Sequence, residues 1–487
     1  MGTRLQAPPV RDDGLLIGGS WRAAARSFER HNPARPGELV GRSAVATPED
    51  VAAAYAAAHA AARPWRQTLQ TQRGAILVRA AELIEQRVDA LAAMLAAEEG
   101  KALRDARGEV RRAAAIFRFH GGESQQPIGE IYPSATAGTL LQAVREPLGV
   151  VCVITPWNFP IAIPAWKLAP ALMYGNTVVF KPAEIASGTA VMLAELLQEA
   201  GLPDGVLNLL TGYGGELSTA LLGAPELDGV TFTGSNAVGR QIAAAAAGAG
   251  VKTQLELGGK NPSVVLADAD LERATGCITR SAMLSTGQRC TATSRAIVVD
   301  ELFDELAQRL VDAAERLVVG DPLEEQTEVG PLSGPAQYEK VTTHMRGADG
   351  DGLQLATGGQ PGDPAGGYFV TPTIYIDVDP RHPVATEEIF GPVLALIRAR
   401  DEADAIRLAN DTRYGLSASV FTSDLRSAMR CAAELQAGVV HVNGETAGAE
   451  PHVPFGGVKG SSSGSREQGK AAREFFTELK TVYIEDL

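Results

Sequence analysis

Gly149-Val150-Val151-Cys152-Val153-Ile154-Thr155-Pro156-Trp157-Asn158-Phe159-Pro160 is the stretch whose reading decides the fold of this 487-residue chain. Val150 to Ile154 is a short apolar, largely β-branched run, bounded by a glycine before it and prolines after it, and it reads as a strand. The same kind of run returns at Thr177 to Phe180, Val206 to Leu210, Val230 to Phe232 and Thr253 to Leu257, with helical stretches between. Strands alternating with helices form a parallel sheet in an open α/β domain, and such sheets bind ligands beyond the carboxyl ends of their strands. That rule singles out Thr155-Pro156-Trp157-Asn158, Lys181-Pro182-Ala183-Glu184, Thr211-Gly212-Tyr213, Thr233-Gly234-Ser235 and Glu256-Leu257-Gly258-Gly259.

A second alternation starts at Asn261 and runs through Ala296 to Val299, Phe369 to Ile376, Val393 to Arg398, Ser417 to Phe421 and Val439 to Asn443, predicting a second α/β domain. Upstream, Gly18-Gly19 between short apolar runs predicts an opening hairpin. Helices follow: one from a Thr47 cap and Pro48 to Ala62, one from Thr71 to Glu99 stopped by Gly100, and one from Leu103 to Phe119. Pro127 to Glu146 loses helical period and predicts a β-ribbon for subunit contact, with the strand-like tail Leu479 to Leu487 as its partner.

Length beyond the usual limit of one hydrophobic core calls for two or more domains. The net charge of -14, with lysines and arginines scattered, argues against nucleic acid as a partner. No apolar run approaches a bilayer span, Met1 to Gln6 has no apolar signal core, and Gln6 stands where a myristoylation motif needs Ser or Thr, so no membrane partner and a cytoplasmic location are expected. The four cysteines are widely spaced and the seven histidines dispersed, which predicts neither a disulfide framework nor a metal site.

Chemistry is legible at five places. Gly287-Gln288-Arg289-Cys290-Thr291-Ala292-Thr293-Ser294-Arg295 sets a cysteine among small and hydroxylic residues beside a cation; nearby positive charge lowers a thiol's pKa, and the thiolate is the nucleophile, although a lone cysteine is also a common small core residue. Lys181 and Glu184 follow a strand, where a carboxylate can accept hydrogen bonds from both adenosine ribose hydroxyls and repel a 2′-phosphate, favouring NAD over NADP. Thr233-Gly234-Ser235 opens a helix whose N-terminus suits a pyrophosphate, whereas Gly212-Tyr213-Gly214-Gly215 falls short of a dinucleotide fingerprint and reads as a turn. Asn158, in a loop stiffened by two prolines, can donate to a developing oxyanion, and Glu256, at a strand end, can act as a general base.

Pro156-Trp157-Asn158-Phe159-Pro160, Lys181-Pro182-Ala183-Glu184, Phe232-Thr233-Gly234-Ser235, Glu256-Leu257-Gly258-Gly259-Lys260, Gly287-Gln288-Arg289-Cys290, Glu387-Glu388-Ile389-Phe390-Gly391-Pro392-Val393 and Pro454-Phe455-Gly456-Gly457 together resemble the aldehyde dehydrogenase superfamily, in its order and spacing. The resemblance implies a Rossmann-like dinucleotide-binding domain built from 1–124 and 148–256, an oligomerisation ribbon at 125–147, a catalytic domain at 257–469 and an oligomerisation tail at 470–487, assembled as a homodimer or homotetramer. It implies that Cys290 attacks the aldehyde carbon, that Asn158 and the Cys290 N–H bind the oxyanion, that Glu256 activates the hydrolytic water, and that Lys167 stands near the catalytic loop. It implies NAD, with NADP possible, held by Thr155, Pro156, Trp157, Lys181, Glu184, Gly214, Phe232, Gly234, Ser235, Val238 and Leu257, with Glu388 and Phe390 positioning the nicotinamide ribose and ring.

For the substrate, Phe159, Trp166 and Phe455 resemble the aromatic walls of the family's tunnel. Ile161-Ala162-Ile163-Pro164, Cys290-Thr291-Ala292-Thr293-Ser294-Arg295, Thr446-Ala447-Gly448 with His452-Val453-Pro454, and Gly464-Ser465-Arg466-Glu467-Gln468-Gly469 look most like the α-ketoglutaric semialdehyde (2,5-dioxopentanoate) dehydrogenases within that family. An acidic aldehyde needs a cation in the tunnel, and Arg289 or Arg118 can supply one, while Glu445 and Glu450 oppose it. Succinic semialdehyde, neutral aldehydes, or an idle NAD-binding scaffold are the alternatives.

Overall fold

Val150–Ile154 is a strand, flanked in parallel by Thr177–Lys181 on one side and Gly229–Thr233 on the other. The computed structural model describes residues 4–485; Met1, Gly2 and Thr3 of the expected signal-free terminus and Asp486 and Leu487 of the expected tail strand lie outside the described residues. From Val150–Ile154 the chain builds outward through Thr177–Lys181 to Leu207–Leu209, then returns to the other side for Gly229–Thr233 and Lys252–Glu256. The strand order therefore reverses beside Val150–Ile154, and the crevice of an open parallel sheet lies at such a reversal. The opening hairpin, Leu15–Ile17 and Ser20–Arg22, closes one edge, and Ser462–Ser463 pairs antiparallel with Leu255 and Glu256 at the other. That last strand brings the second half of the chain back onto the first sheet at Glu256.

The second sheet has the order Gln354–Thr357, Thr373–Ile376, Val393–Ala399, Thr293–Val299, Asn261–Val265, Ser417–Phe421, Val439–Val442. All its pairings are parallel except that of the edge strand Gln354–Thr357, which the sequence reading did not anticipate. The ribbon forms from Gly129–Tyr132 and Leu140–Pro147, with Thr477–Ile484 along Leu140–Pro147. Two other features differ from expectation. The helix expected over Thr71 to Glu99 is two, Gln70–Gln86 and Val88–Glu99, because Arg87 leaves helical geometry (φ -116°, ψ 24°). The first half keeps an exposed face, while the second is buried on every side from Leu91 to Glu99, so one straight axis cannot serve both. A small sheet of Arg11–Asp13, Ser27–Asn32 and Arg35–Ala44 precedes the helices, and its buried Arg30 pairs with Asp13 and Glu98.

Ala162–Met173, the helix after the Asn158 loop, is apolar except for Lys167 and buried along its whole length, as a helix covered on every face must be. Among the described residues no helix is long and apolar enough to cross a membrane. Fully buried Phe475, stacked edge-on against Phe476 at 4.8 Å, anchors the tail under Gly229. Phe475→Ala is expected to cost about 3–5 kcal/mol, measured as a lowered urea midpoint at unchanged slope.

Candidate active site

The segment carrying Cys290 has little regular structure, and side chains from elsewhere hold it. After the helix Leu271–Met283 the chain turns left-handed at Ser285 (φ 51°), Thr286 (φ 55°) and Gly287 (φ 64°). A Cβ at Gly287 would lie 2.2 Å from the Gly391 carbonyl oxygen, so only glycine fits. The two non-glycine residues in this region cost about 1–3 kcal/mol each. The Ser285 N–H and hydroxyl donate to Asp105 Oδ2 at 3.0 and 2.7 Å, which offsets part of that strain. Asn261 Nδ2 donates to the carbonyls of Cys290 (2.8 Å) and Ala292 (2.9 Å), and the missing side chain of Gly259 leaves room for the Cys290 carbonyl.

Asn158 is buried, and its Nδ2 donates to the Gln288 carbonyl at 2.9 Å, so the carboxamide is fixed beside the Cys290 loop with its second N–H still to place. The main-chain carbonyl of Asn158 accepts from Lys101 Nζ at 2.5 Å, and that ammonium also bonds Glu109 Oε2 and covers the Phe159 ring at 4.1 Å. Glu109 Oε1 takes the N–H groups of Ile161 and Ala162 at 3.0 and 3.1 Å. Nothing local in the sequence marks Lys101 and Glu109, because their purpose is set by a loop that begins its contacts with them 57 and 52 positions further along the chain.

Glu256 is fully buried at the end of its strand; Ser462 donates to Oε2 at 2.7 Å, and Oε1 has no partner among the described residues. Burial, reinforced by the charge of Glu467, raises its pKa well above the ordinary carboxylate value, against the Ser462 hydrogen bond and the charges of Lys167 and Arg466. Lys167 Nζ lies in contact with Glu467 and donates to Thr231 Oγ1 at 2.8 Å. Glu467 belongs to the Gly464–Gly469 motif, but its pairing with Lys167 is not legible there.

The thiol does not follow the sequence-based expectation. Burial, with the charges of Glu388 and Glu256, pushes Cys290 up to about 12, against the N–H groups of Cys290 and Thr291. The expected activating cation is committed elsewhere: Arg289 Nη2 bonds Asp105 Oδ2 at 3.1 Å and Ser285 Oγ at 3.0 Å. Arg118, the other candidate for the tunnel, is at the surface with both guanidinium arms on Glu85 at 2.8 Å. Glu445 is held by Arg280 at 2.7 Å. Trp166 and Phe455 do stack, with ring centroids 5.5 Å apart.

On the dinucleotide side, Lys181 Nζ donates to Glu184 Oε1 at 2.9 Å and the Gly214 N–H to the same oxygen at 2.8 Å. Burial opposes ionisation of Glu184, but Lys181 and the backbone N–H groups outweigh it and hold its pKa below the ordinary value. The glycine-rich turn at 212 opens the helix Gly214–Leu222 instead of ending there. Ser235 caps the helix Asn236–Ala249, accepting from the Val238 N–H, and a Cβ on Gly234 would meet the Phe232 ring at 2.5 Å. Leu257 packs against Gly239, and Trp157 meets the Phe390 ring edge-on at 5.5 Å. Glu388 Oε1 accepts from the Gly259 N–H at 2.9 Å, tying this side to the Cys290 loop. Thr155 and Thr233 each bury a hydroxyl with no partner among the described residues, at the strand ends on either side of the reversal. Orphaned hydroxyls and a capped helix N-terminus at that place fit a polar, phosphate-bearing ligand.

A dinucleotide crevice that reaches a sunken thiol through one carboxylate is what an oxidoreductase working through a covalent cysteine adduct requires. Residues 21–482 match the Aldehyde dehydrogenase family, and the chain belongs to it. It is 43% identical over 474 residues to the α-ketoglutaric semialdehyde dehydrogenase of Bacillus subtilis, covering 96% of this chain and 97% of that protein. It is 45% identical over 475 residues to the α-ketoglutarate semialdehyde dehydrogenase of Haloferax volcanii, covering 96% and 98%. The crystal structure of an NAD-dependent aldehyde dehydrogenase from Sinorhizobium meliloti superposes with a TM-score of 0.95 at 35% identity, covering 99% of this chain and 98% of that one. The protein is an NAD(P)-dependent aldehyde dehydrogenase.

With its thiol raised, the cofactor-free enzyme should be alkylated by iodoacetamide at a rate that climbs about tenfold per pH unit from pH 7 to 10 without levelling. A plateau near pH 8 would contradict the raised pKa. Lys101→Met, which frees the Asn158 carbonyl, is expected to lower kcat/KM by roughly tenfold or more without weakening NAD binding, measured by steady-state kinetics and a binding titration.

Proposed function

We propose that this enzyme oxidises α-ketoglutaric semialdehyde (2,5-dioxopentanoate), or a closely similar short aldehyde bearing a carboxylate, to the free acid, with NAD preferred. The observation that carries the reaction class is the placement of Glu256 near enough to Cys290 for their charges to oppose one another. The names of the two relatives support the substrate, and the pairing of Glu445 with Arg280 removes one charge that would repel it.

The aldehyde enters between Trp166, Phe159 and Phe455. Cys290 Sγ bonds to the carbonyl carbon as its proton departs, and the oxyanion takes the free Asn158 N–H and the Cys290 backbone N–H. When bound, the nicotinamide accepts the hydride. The acyl group left on Cys290 is a thioester; Glu256 takes a proton from the attacking water, the C–S bond breaks, and the carboxylate leaves. Aldehyde, NAD+ and water thus give carboxylate, NADH and two protons. Lys167 holds Glu467 behind Glu256.

Glu184, its carboxylate fixed by Lys181 and Gly214, would hold the adenosine ribose through its unshared oxygen. Thr155, Pro156, Trp157, Phe232, Gly234, Ser235, Val238 and Leu257 line the rest of the cofactor's course, and Glu388 and Phe390 set the nicotinamide end. We divide the chain into a dinucleotide-binding unit of 1–124 and 148–256, a ribbon of 125–147, a catalytic unit of 257–469 and a tail of 470–487. The ribbon joins copies into a homodimer or homotetramer, a reading supported by its exposed Ile131, Tyr132, Leu479 and Tyr483. The enzyme works in the cytoplasm, which suits four free cysteines.

Cys290→Ala should abolish oxidation of every aldehyde; retained turnover would sink the scheme. Glu256→Gln should keep a pre-steady-state burst of NADH while lowering kcat by about 10²-fold or more. Because the folded-state pKa of Glu256 is raised and only its ionised form accepts a proton, thioester hydrolysis in the native enzyme should quicken as pH rises through that pKa, and the Gln variant should lose this rise.

A further inference from the structure

Arg112 lies one turn beyond Glu109 on the helix Leu103–Gly122, the helix that grips the Asn158 loop. The buried arginines of the fold are occupied. Arg30 pairs with Asp13 and Glu98, Arg295 donates to the carbonyls of Lys260, Leu408 and Ala409, and Arg73 donates to carbonyls including that of Met173. Arg112 forms no salt bridge among the described residues, and its only side-chain hydrogen bond there is a long one, 3.5 Å, to Gln468 Oε1.

Gln468 is fully buried, in left-handed backbone geometry (φ 59°), and its Nε2 has no partner among the described residues. It is held firmly beside the tunnel wall: Glu467 exchanges two backbone hydrogen bonds with Phe455 (2.7 and 2.8 Å), and the Gly469 N–H bonds the Pro451 carbonyl at 3.0 Å. Burial lowers the pKa of Arg112, while the charges of Glu450, Glu109 and Cys290 act in the opposite direction. A part-buried guanidinium without a carboxylate, beside an amide N–H without an acceptor, costs free energy unless an anion joins them.

We propose that Arg112 and Gln468 Nε2 receive the carboxylate at the far end of the aldehyde substrate, and that Arg112 is the residue that selects for it. The inference rests on the carboxylated-substrate reading above. A guanidinium presents two parallel N–H groups to a carboxylate, which fixes direction as well as charge, so the aldehyde end is presented to Cys290. Glu450 is the competing anion when the tunnel is empty.

The test compares α-ketoglutaric semialdehyde, succinic semialdehyde and hexanal in the native enzyme, Arg112→Leu and Arg112→Lys, all with NAD. The ratio of kcat/KM for the carboxylated aldehydes over hexanal should fall on the order of 10²-fold in Arg112→Leu, chiefly through KM, with Arg112→Lys between it and the native enzyme. An unchanged ratio, or a loss shared equally by hexanal, overturns the assignment of Arg112. If the native enzyme itself shows no preference for carboxylated aldehydes, the substrate reading fails first and the assignment falls with it. Gln468→Glu, which sets an anion in the same place, should lower the ratio as well; a ratio it leaves unchanged also overturns the proposal.

Discussion

One side chain, Asn261, joins the three segments on which the site depends. Its Nδ2 holds the carbonyls of Cys290 and Ala292, and its Oδ1 accepts the Ser417 N–H at 3.0 Å, so the strand that begins the second sheet fixes both the nucleophile loop and the neighbouring strand. Backbone groups that are buried without a ladder need such partners, and an irregular loop cannot supply its own. The left-handed turn before Cys290 is tolerated for the same reason: Asp105, Asn261 and the absent side chains at 259 and 287 leave the chain no other path.

Burial works against charge on the two side chains assigned to the chemistry. Burial raises both the Cys290 thiol and the Glu256 carboxyl, and the charge of Glu256 raises the thiol further. Two like charges at close range disfavour one another, so ionising one of the pair opposes ionising the other. The cations sit one layer back, Lys167 against Glu467 and Lys101 against Glu109, where they secure geometry.

Much of this was legible in the sequence, for reasons that differ by residue. The strands of the first sheet form where the short apolar runs predict them, because a short β-branched run and a turn residue act locally. The same applies to Cys290, Asn158 and Glu256, which are marked by prolines and glycines beside them. What failed depended on distant partners. Arg289 looked like a cation for the thiol until Asp105, 184 positions away, took it. Arg118 looked available until Glu85 claimed both its arms. Arg112 carried no local signal at all, since what sets it apart is lacking, among the described residues, the partners that the buried arginines have. The break at Arg87 was equally silent, being set by what covers Val88–Glu99 and by no glycine or proline.

The elevated thiol has a bearing on how long the enzyme lasts. Peroxide attacks thiolates, and the ladder from sulfenic to sulfonic acid begins only with that form. Cys152, Cys277 and Cys431 are raised by burial as well, Cys152 to about 12 and Cys431 to about 11. At neutral pH the resting protein thus offers oxidants almost no thiolate, so a catalyst that depends on one sulfur atom is at its most durable when it has nothing to oxidise.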